Sequence, residues 1–288
     1  MQAGVPIAEV SRRLGVPMPT LRSWELRYGI PETSRSPGRH RRYNEAELRS
    51  LALMRDEIAR GKRASVAAQS VRATLGLSGP AAEVIAAVLE ASRQLDPAGI
   101  REQLDHGYRT LGLGSCVDDV LLPAMRQIGA WWETGRCDVE RERLTTETAR
   151  AWLDSLAAYA PAPRRPRPVV LACGPSDLHT LGLEALALLL RNQGWPCRPL
   201  GARTSVLNLS TAALASGAAG VVVVSHLNTG RQRAIQSLRA VAELGVNVFY
   251  AGNAFSSPRS RLRLPGDYLG VRLQDACTLI DTKLRSTG

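Results

Sequence analysis

Up to about residue 160, apolar side chains recur every three or four positions; beyond it they gather into short solid runs separated by helical stretches. Ile7, Val10 and Leu14 open the helical part, Pro6 suits a first helical position, and Gly15-Val16-Pro17 ends it. A second short helix carries Thr20, Leu21, Arg22, Trp24, Glu25, Arg27 and Tyr28. Two short helices around a glycine-containing turn predict a helix-turn-helix, whose second helix would enter a DNA major groove. The basic, turn-rich stretch from Pro31 to Tyr43 predicts a small β-wing that tracks phosphates. Asn44 with Glu47 is a capping-box variant starting a third helix to about Arg60, and a fourth covers roughly Ser65 to Leu75.

Four longer helical patterns follow: Ala81 to Leu95, Pro97 to Leu111, Cys116 to Glu133 and Val139 to Tyr159. Their short connections predict an antiparallel four-helix bundle. Proline density makes residues 161–168 a semi-rigid linker. The apolar runs Val169–Cys173, Cys197–Leu200, Gly220–Ser225, Val246–Tyr250 and Tyr268–Leu269 have strand length. Helical stretches fall between and after them, near 183–193, 206–215, 230–243 and 273–285. That alternation predicts a Rossmann-like, doubly wound parallel sheet with ligands at the carboxyl ends of its strands. The expected fold is multidomain, α and α/β, with domains at 1–75, 79–160 and 169–288 and a linker at 161–168.

At 288 residues and 44% hydrophobic, the chain has room for several cores. No apolar run reaches membrane-spanning length, and five scattered cysteines without CxxC spacing do not suggest a zinc or disulfide framework. A soluble protein in a reducing cytoplasm, with no membrane partner, is expected. The net charge of +11 is unevenly spread: residues 1–75 carry +7, 76–160 carry −5 and 161–288 carry +9. The first excess sits on the helix-turn-helix and points to double-stranded DNA. The acidic middle would not compete for that partner, and the last excess is compatible with a generally arginine-rich composition.

The most specific chemistry lies in Asp177-Leu178-His179-Thr180-Leu181-Gly182, just after the first strand run. An imidazole two residues after a carboxylate on a strand-to-helix loop is arranged as a metal ligand whose second nitrogen the carboxylate holds. Gly182 would let the loop and helix start approach a flat ligand. Ser225-His226-Leu227 ends the third strand and Ala251-Gly252-Asn253 the fourth; His226 reads as structural. The bundle adds Trp131-Trp132, one expected in the core and one facing a ligand, and Glu142-Arg143.

Thr20-Leu21-Arg22, Trp24-Glu25, Arg27-Tyr28-Gly29 and Gly38-Arg39-His40-Arg41-Arg42-Tyr43 resemble the winged helix-turn-helix of MerR-family transcription regulators over about residues 5–72. The resemblance implies that the second helix reads base edges while the wing and Tyr43 contact the DNA backbone. Arg35, Arg39, Arg41 and Arg42 are then the phosphate contacts, and Arg22 and Arg27 contact bases or phosphates. Arg12, Thr20, Tyr28 and His40 complete the DNA-facing set. Trp24 and Tyr28 are equally candidates for core packing. The implied target is dyad-symmetric, bound by a homodimer or homotetramer.

Asp177-His179-Gly182, then Ser225-x-Leu227, then Gly252-Asn253 resemble the ordered Asp-x-His-x-x-Gly, Ser-x-Leu and Gly-Gly motifs of cobalamin-binding domains, with Asn253 replacing the second glycine. With the MerR head and acidic bundle, the chain resembles cobalamin-dependent photoreceptor repressors of the CarH/LitR group. The resemblance implies that His179 is the lower axial ligand of cobalt and that Ser225 and Gly252 line the groove for the nucleotide tail. In that group the bundle caps the upper face through Trp-x9-Glu-His. Here Trp132-x9-Glu142 fits, but Arg143 replaces the histidine, and Glu133 stands where the best-known members supply an upper histidine after photolysis. The expected protein is a DNA-binding regulator, a repressor and not an enzyme, under cobalamin control with altered upper-face chemistry. Arg143 would suit an anionic group such as a bilin propionate. The alternatives are a cobalamin-dependent methyl carrier and a MerR-type regulator without its cofactor.

Overall fold

The computed structural model describes residues 5–28, 30–31, 42–75, 80–133 and 137–285. The chain divides into two compact units, Met1–Glu83 and Val84–Gly288.

In the first unit, α1 (Ile7–Leu14) and α2 (Met18–Tyr28) flank Gly15, which ends α1 in the left-handed region at φ 65°. Strand β1 (Val5–Pro6) pairs antiparallel with β2 (Arg42–Tyr43), Val5 opposite Tyr43. Asn44 then caps α3 (Glu45–Ala59): its side chain accepts the Glu47 N–H at 2.9 Å, and Glu47 accepts the Asn44 N–H at 2.7 Å. That reciprocal box satisfies two donors that a bare helix start leaves open. Helix α4 (Ala64–Leu75) follows, and Val10, Leu21, Trp24, Leu51, Met54 and Val71 meet in one core.

The second unit combines helices and a sheet. Its helices are α5 (Pro80–Arg93), which belongs to it from Val84 onward, α6 (Pro97–Leu111), α7 (Leu113–Ser115), a π-helical turn (Cys116–Leu121), α8 (Leu122–Glu133) and α9 (Val139–Ala157). Two polar contacts join these helices inside the apolar bundle: Trp152 donates to Asp105 at 2.8 Å, and Ser92 meets Thr145 at 2.7 Å. The third helical pattern expected from Cys116 starts earlier, at Leu113, and passes through the π turn.

Residues 161–168 form neither helix nor strand. They still lie against the following module: Arg167 donates to the carbonyls of Gly217 and Ala218, and Gly194 accepts the N–H groups of Arg164 and Arg165.

The sheet contains β3 (Val169–Cys173), β4 (Cys197–Gly201), β5 (Gly220–Val224), β6 (Asn247–Ala251) and β7 (Asp267–Tyr268), all parallel, in the order β4-β3-β5-β6-β7. Every residue of β3 and β5 is buried, which explains their unbroken apolar runs. Val170, Ala172, Val221 and Val223 share a core with α11 (Val206–Ala215) and α12 (Arg231–Glu243). Helices α10 (Leu181–Asn192) and α13 (Leu273–Arg285) pack together, and α10 also contacts β3 and α9. The chain leaves β3 for β4 on one side and returns to β5 on the other. The change of direction falls between β3 and β5, whose carboxyl ends are the usual ligand position in such sheets.

Among the described residues, no helix is long and apolar enough to cross a membrane.

Candidate functional site

The loop after β3 is pinned by its backbone. Gly174 donates to the Val224 carbonyl at 2.8 Å, Asp177 to Gly174 at 2.9 Å, and Arg203 to the Asp177 carbonyl at 3.0 Å. These bonds turn the Asp177 side chain inward, where it is 2% exposed. One carboxylate oxygen, Oδ1, accepts the His179 N–H at 2.9 Å and lies 2.7 Å from His179 Nδ1. The other, Oδ2, accepts the His226 N–H and lies 3.4 Å from His226 Nδ1. Burial pushes the Asp177 carboxyl up, but hydrogen bonds from both histidines outweigh it and hold the group well below the usual carboxylate range.

An ionised carboxylate only accepts, so the proton in the His179 contact resides on Nδ1. Nε2 of His179 is then a lone-pair donor, and the side chain is 58% exposed. A held, correctly tautomerised imidazole facing outward is what axial metal ligation requires.

Around it, Leu178 and Leu227 are exposed large apolar side chains at 57% and 46%. They offer hydrophobic edges beside a polar ligand atom. A Cβ built on Gly182 meets nothing within 4 Å, so the start of α10 presents a bare backbone face. Ser225 is buried; its N–H donates to Ala251 at 3.0 Å and its carbonyl accepts from Ala254 at 3.1 Å. Gly252 has φ 103°, and a Cβ there would stand 2.2 Å from the Ser225 carbonyl oxygen. Only glycine lets these two strand ends lie so close. Asn253 is exposed and begins a short 3-10 turn. An outward imidazole, bare glycine backbone and apolar rim fit a flat, metal-centred macrocycle.

The bundle reaches this loop through α9. Arg150 pairs with Glu184 of α10 at 3.2 Å and donates to Thr180 Oγ1 at 3.2 Å, next to His179. Glu142, Thr146 and Arg150 follow one another at i, i+4, i+8 and so share a ridge of the helix. Thr146 donates to Glu142 at 3.0 Å, which sets Glu142 about 12 Å along α9 from Arg150. Arg143 is exposed, Trp132 is 49% exposed, and Trp131 is half-buried.

Asp177, His179, Ser225 and Gly252 are thus gathered at one end of the sheet, as the three motifs required. His226, read from the sequence as structural, belongs to the same cluster: its ring lies 5.2 Å from that of His179. The available signal was an imidazole in the middle of Ser-x-Leu at a strand end.

In the first unit Arg22 and Arg27 are exposed, and Thr20 and Tyr28 are half-buried. Arg12 is exposed and paired with Glu9. Trp24 lies in the core at 6% exposure, and Tyr43 is 2% exposed there. Arg42 lies in β2 opposite Pro6. Arg35, Arg39, His40 and Arg41 fall outside the described residues.

Residues 5–73 match the family model for MerR HTH family regulatory proteins, and residues 84–157 match a B12 binding domain. Two curated relatives are similar over most of their length. The HTH-type transcriptional repressor CarH of Myxococcus xanthus is 32% identical, over 70% of this chain and 72% of its own. The HTH-type transcriptional repressor CarA of the same organism is 32% identical, over 72% of this chain and 71% of its own. Among solved structures, the monomethylamine corrinoid protein of Methanosarcina barkeri superposes with a TM-score of 0.58 at 13% identity, over 69% of this chain and 98% of its own, a likeness of fold.

Proposed function

Because the chain belongs to the family of MerR-type transcriptional repressors that includes CarH and CarA, we propose that it represses transcription from a dyad-symmetric DNA site as a homodimer or homotetramer, under the control of cobalamin held at His179. The protein is a DNA-binding regulator and not an enzyme. Its helix-turn-helix works where DNA is accessible, in the cytoplasm.

The observation that carries the cofactor reading is the 2.7 Å contact between Asp177 and His179 Nδ1 at the carboxyl ends of β3 and β5. Asp177 holds the proton on Nδ1 and aims Nε2 outward; His179 would be the lower axial ligand. Gly182 admits the ring face, while Ser225, Leu227, Gly252 and Asn253 would line the groove for the nucleotide tail. Trp132 and Glu142 would face the upper side, with Arg143 beside them. When bound, cobalamin supplies a cobalt centre whose axial ligands can be exchanged or, for an alkyl ligand, released by light. The chain's own part is to convert that change into DNA affinity through the α9 contact made by Arg150.

Within the first unit, exposed Arg22 and Arg27 on α2 and the wing residues Arg35, Arg39, His40, Arg41 and Arg42 are the proposed DNA contacts, with Thr20, Tyr28 and Arg12 at the margins. The burial of Tyr43 favours a role in the core of this unit. Cobalamin is the ligand the donor set supports; a bilin is at most an addition near Arg143.

The test is DNA retention by the full chain with and without adenosylcobalamin, in darkness and after illumination. Cobalamin-dependent retention supports the proposal. Identical retention under all four conditions would indicate a regulator that no longer uses the cofactor.

A further inference from the structure

Resting on the cobalamin reading above, we infer that His226 is a positioning residue of the same site, a second imidazole that fixes the Asp177 carboxylate and thereby the ring of His179. Strands β3 and β5 are neighbours, with Cys173 opposite Val224, so the loops that follow them leave the sheet side by side. That register brings His226 to Asp177 across 49 residues of sequence.

The carboxylate is shared in a defined way. Oδ1 serves His179, through its backbone N–H and Nδ1. Oδ2 serves His226, through its backbone N–H and the approach of Nδ1 to 3.4 Å. A carboxylate turns about its Cβ–Cγ bond as a rigid fork, so what holds one oxygen also sets the direction of the other. The His226 side chain therefore acts on His179 without touching the ligand atom.

Two details favour a role for the imidazole itself beyond that of its backbone. Among the described residues, Nδ1 of His226 is buried with no hydrogen-bond partner, and the anionic Asp177 Oδ2 lies 3.4 Å from it. A buried polar atom left unpaired is costly, so a proton on this Nδ1 would be held by the carboxylate after a small shift of the ring. The two imidazole rings also lie 5.2 Å apart at 50°, which places the His226 ring as a wall limiting the swing of His179. No feature of Ser-x-Leu demands a histidine at its middle position; here that residue supplies a proton donor and a wall.

The experiment uses the full-length protein with hydroxocobalamin as probe. Affinity is read from the absorption change, and histidine ligation from the coupling of isotopically labelled histidine nitrogen in the electron paramagnetic resonance spectrum after reduction to Co(II), which the cofactor's own unlabelled base cannot mimic. His226→Ala should weaken binding by roughly tenfold to a hundredfold, the usual effect of losing an outer partner of a metal ligand, and reduce the nitrogen-coupled fraction. His226→Asn, whose amide N–H can occupy the Nδ1 position, should restore affinity to within a few-fold of wild type. It also provides a folded comparator should the alanine variant fail to fold. Wild-type affinity and coupling in His226→Ala, or equal loss in the alanine and asparagine variants, would overturn the inference while leaving His179 as ligand. Failure of the wild-type protein to take up the probe, or coupling that persists in His179→Ala, would overturn the reading of the whole site and this inference with it.

Discussion

Asp118, on the π-helical turn of the bundle, caps a helix of the sheet module: its Oδ1 accepts the Leu273 N–H at 2.7 Å, and its Oδ2 accepts the Gln274 N–H at 3.1 Å. The side chain is 1% exposed, and the neighbouring Asp119 pairs with Arg272 at 2.8 Å. The first turn of α13 thus receives its cap from another part of the chain, 155 residues away. A helix start leaves donors open and attracts negative charge, so one side chain both completes α13 and fastens the bundle to the sheet. With the Arg150–Glu184 pair, it secures the bundle to the sheet module at two places.

Replacing Asp118 by alanine removes that cap without a substitute. The expected cost is about 1–2 kcal/mol, in the range for lost N-caps. It should appear as a lower urea midpoint for the second unit. Asp118→Asn keeps an acceptor for Leu273 and should lose less. Equal stability of the alanine variant and wild type would mean that water replaces the cap.

What was legible in the sequence follows from locality. β3 and β5 read as solid apolar runs because both faces of each strand are covered, and Asn44 with Glu47 announced α3 within four residues. The Asp177–His179 pair was equally plain, since its partners stand two positions apart. The contacts of Asp118 and His226 were not legible, because each depends on which elements become neighbours. His226 meets Asp177 only because the strand order places β5 beside β3, which no local pattern specifies. Tyr43 illustrates the same limit: within a basic run it looks like a DNA contact, yet the pairing of β2 with β1 turns its ring into the core.

Two glycines at the site should respond in opposite ways. Gly252→Ala forces a Cβ to within 2.2 Å of a backbone oxygen at φ 103°, so the β6 end must move. A loss of about 2–4 kcal/mol, or failure to fold, is expected from the strain and overlap. Gly182→Ala meets no atom within 4 Å and should melt like wild type. If Gly182 serves the ligand face, that variant should nonetheless bind cobalamin more weakly. Thermal unfolding and cobalamin titration on the same samples separate the two effects.

Asp177 predicts an acid-dependent stability. Burial works to raise its carboxyl, but the bonds from His179 and His226 hold it below its ordinary value of 3.8. A group depressed on folding contributes stability that is fully present above the unfolded value and is lost as pH falls below it. The stability difference between wild type and Asp177→Asn should therefore shrink as pH falls below about 4. Glu9, Glu57 and Glu90 are also depressed by neighbouring cations, so the difference between the two proteins isolates Asp177. A difference unchanged down to pH 2.5 would mean that Asp177 is not the titrating group.

The upper face can be tested without disturbing the fold, because Trp132 is 49% exposed and Arg143 is exposed. Truncating exposed side chains away from caps and cores usually changes stability by no more than about 0.5 kcal/mol. Trp132→Ala should therefore unfold like wild type while binding adenosylcobalamin several-fold more weakly, and binding to wild type should quench tryptophan emission more than binding to the variant. Arg143 and Glu133 stand at the two positions where the motif resemblance read from the sequence implies upper-side histidines, so light should change the absorption of the wild-type complex differently from that of Glu133→His/Arg143→His. His179 is untouched in the double variant, so its nitrogen coupling should be preserved and any new light response assigned to the upper side. Enhanced light-induced release of DNA in that variant would show that these two positions set the response of this chain. Matching spectra and DNA release in both proteins would move the determinant elsewhere in the bundle.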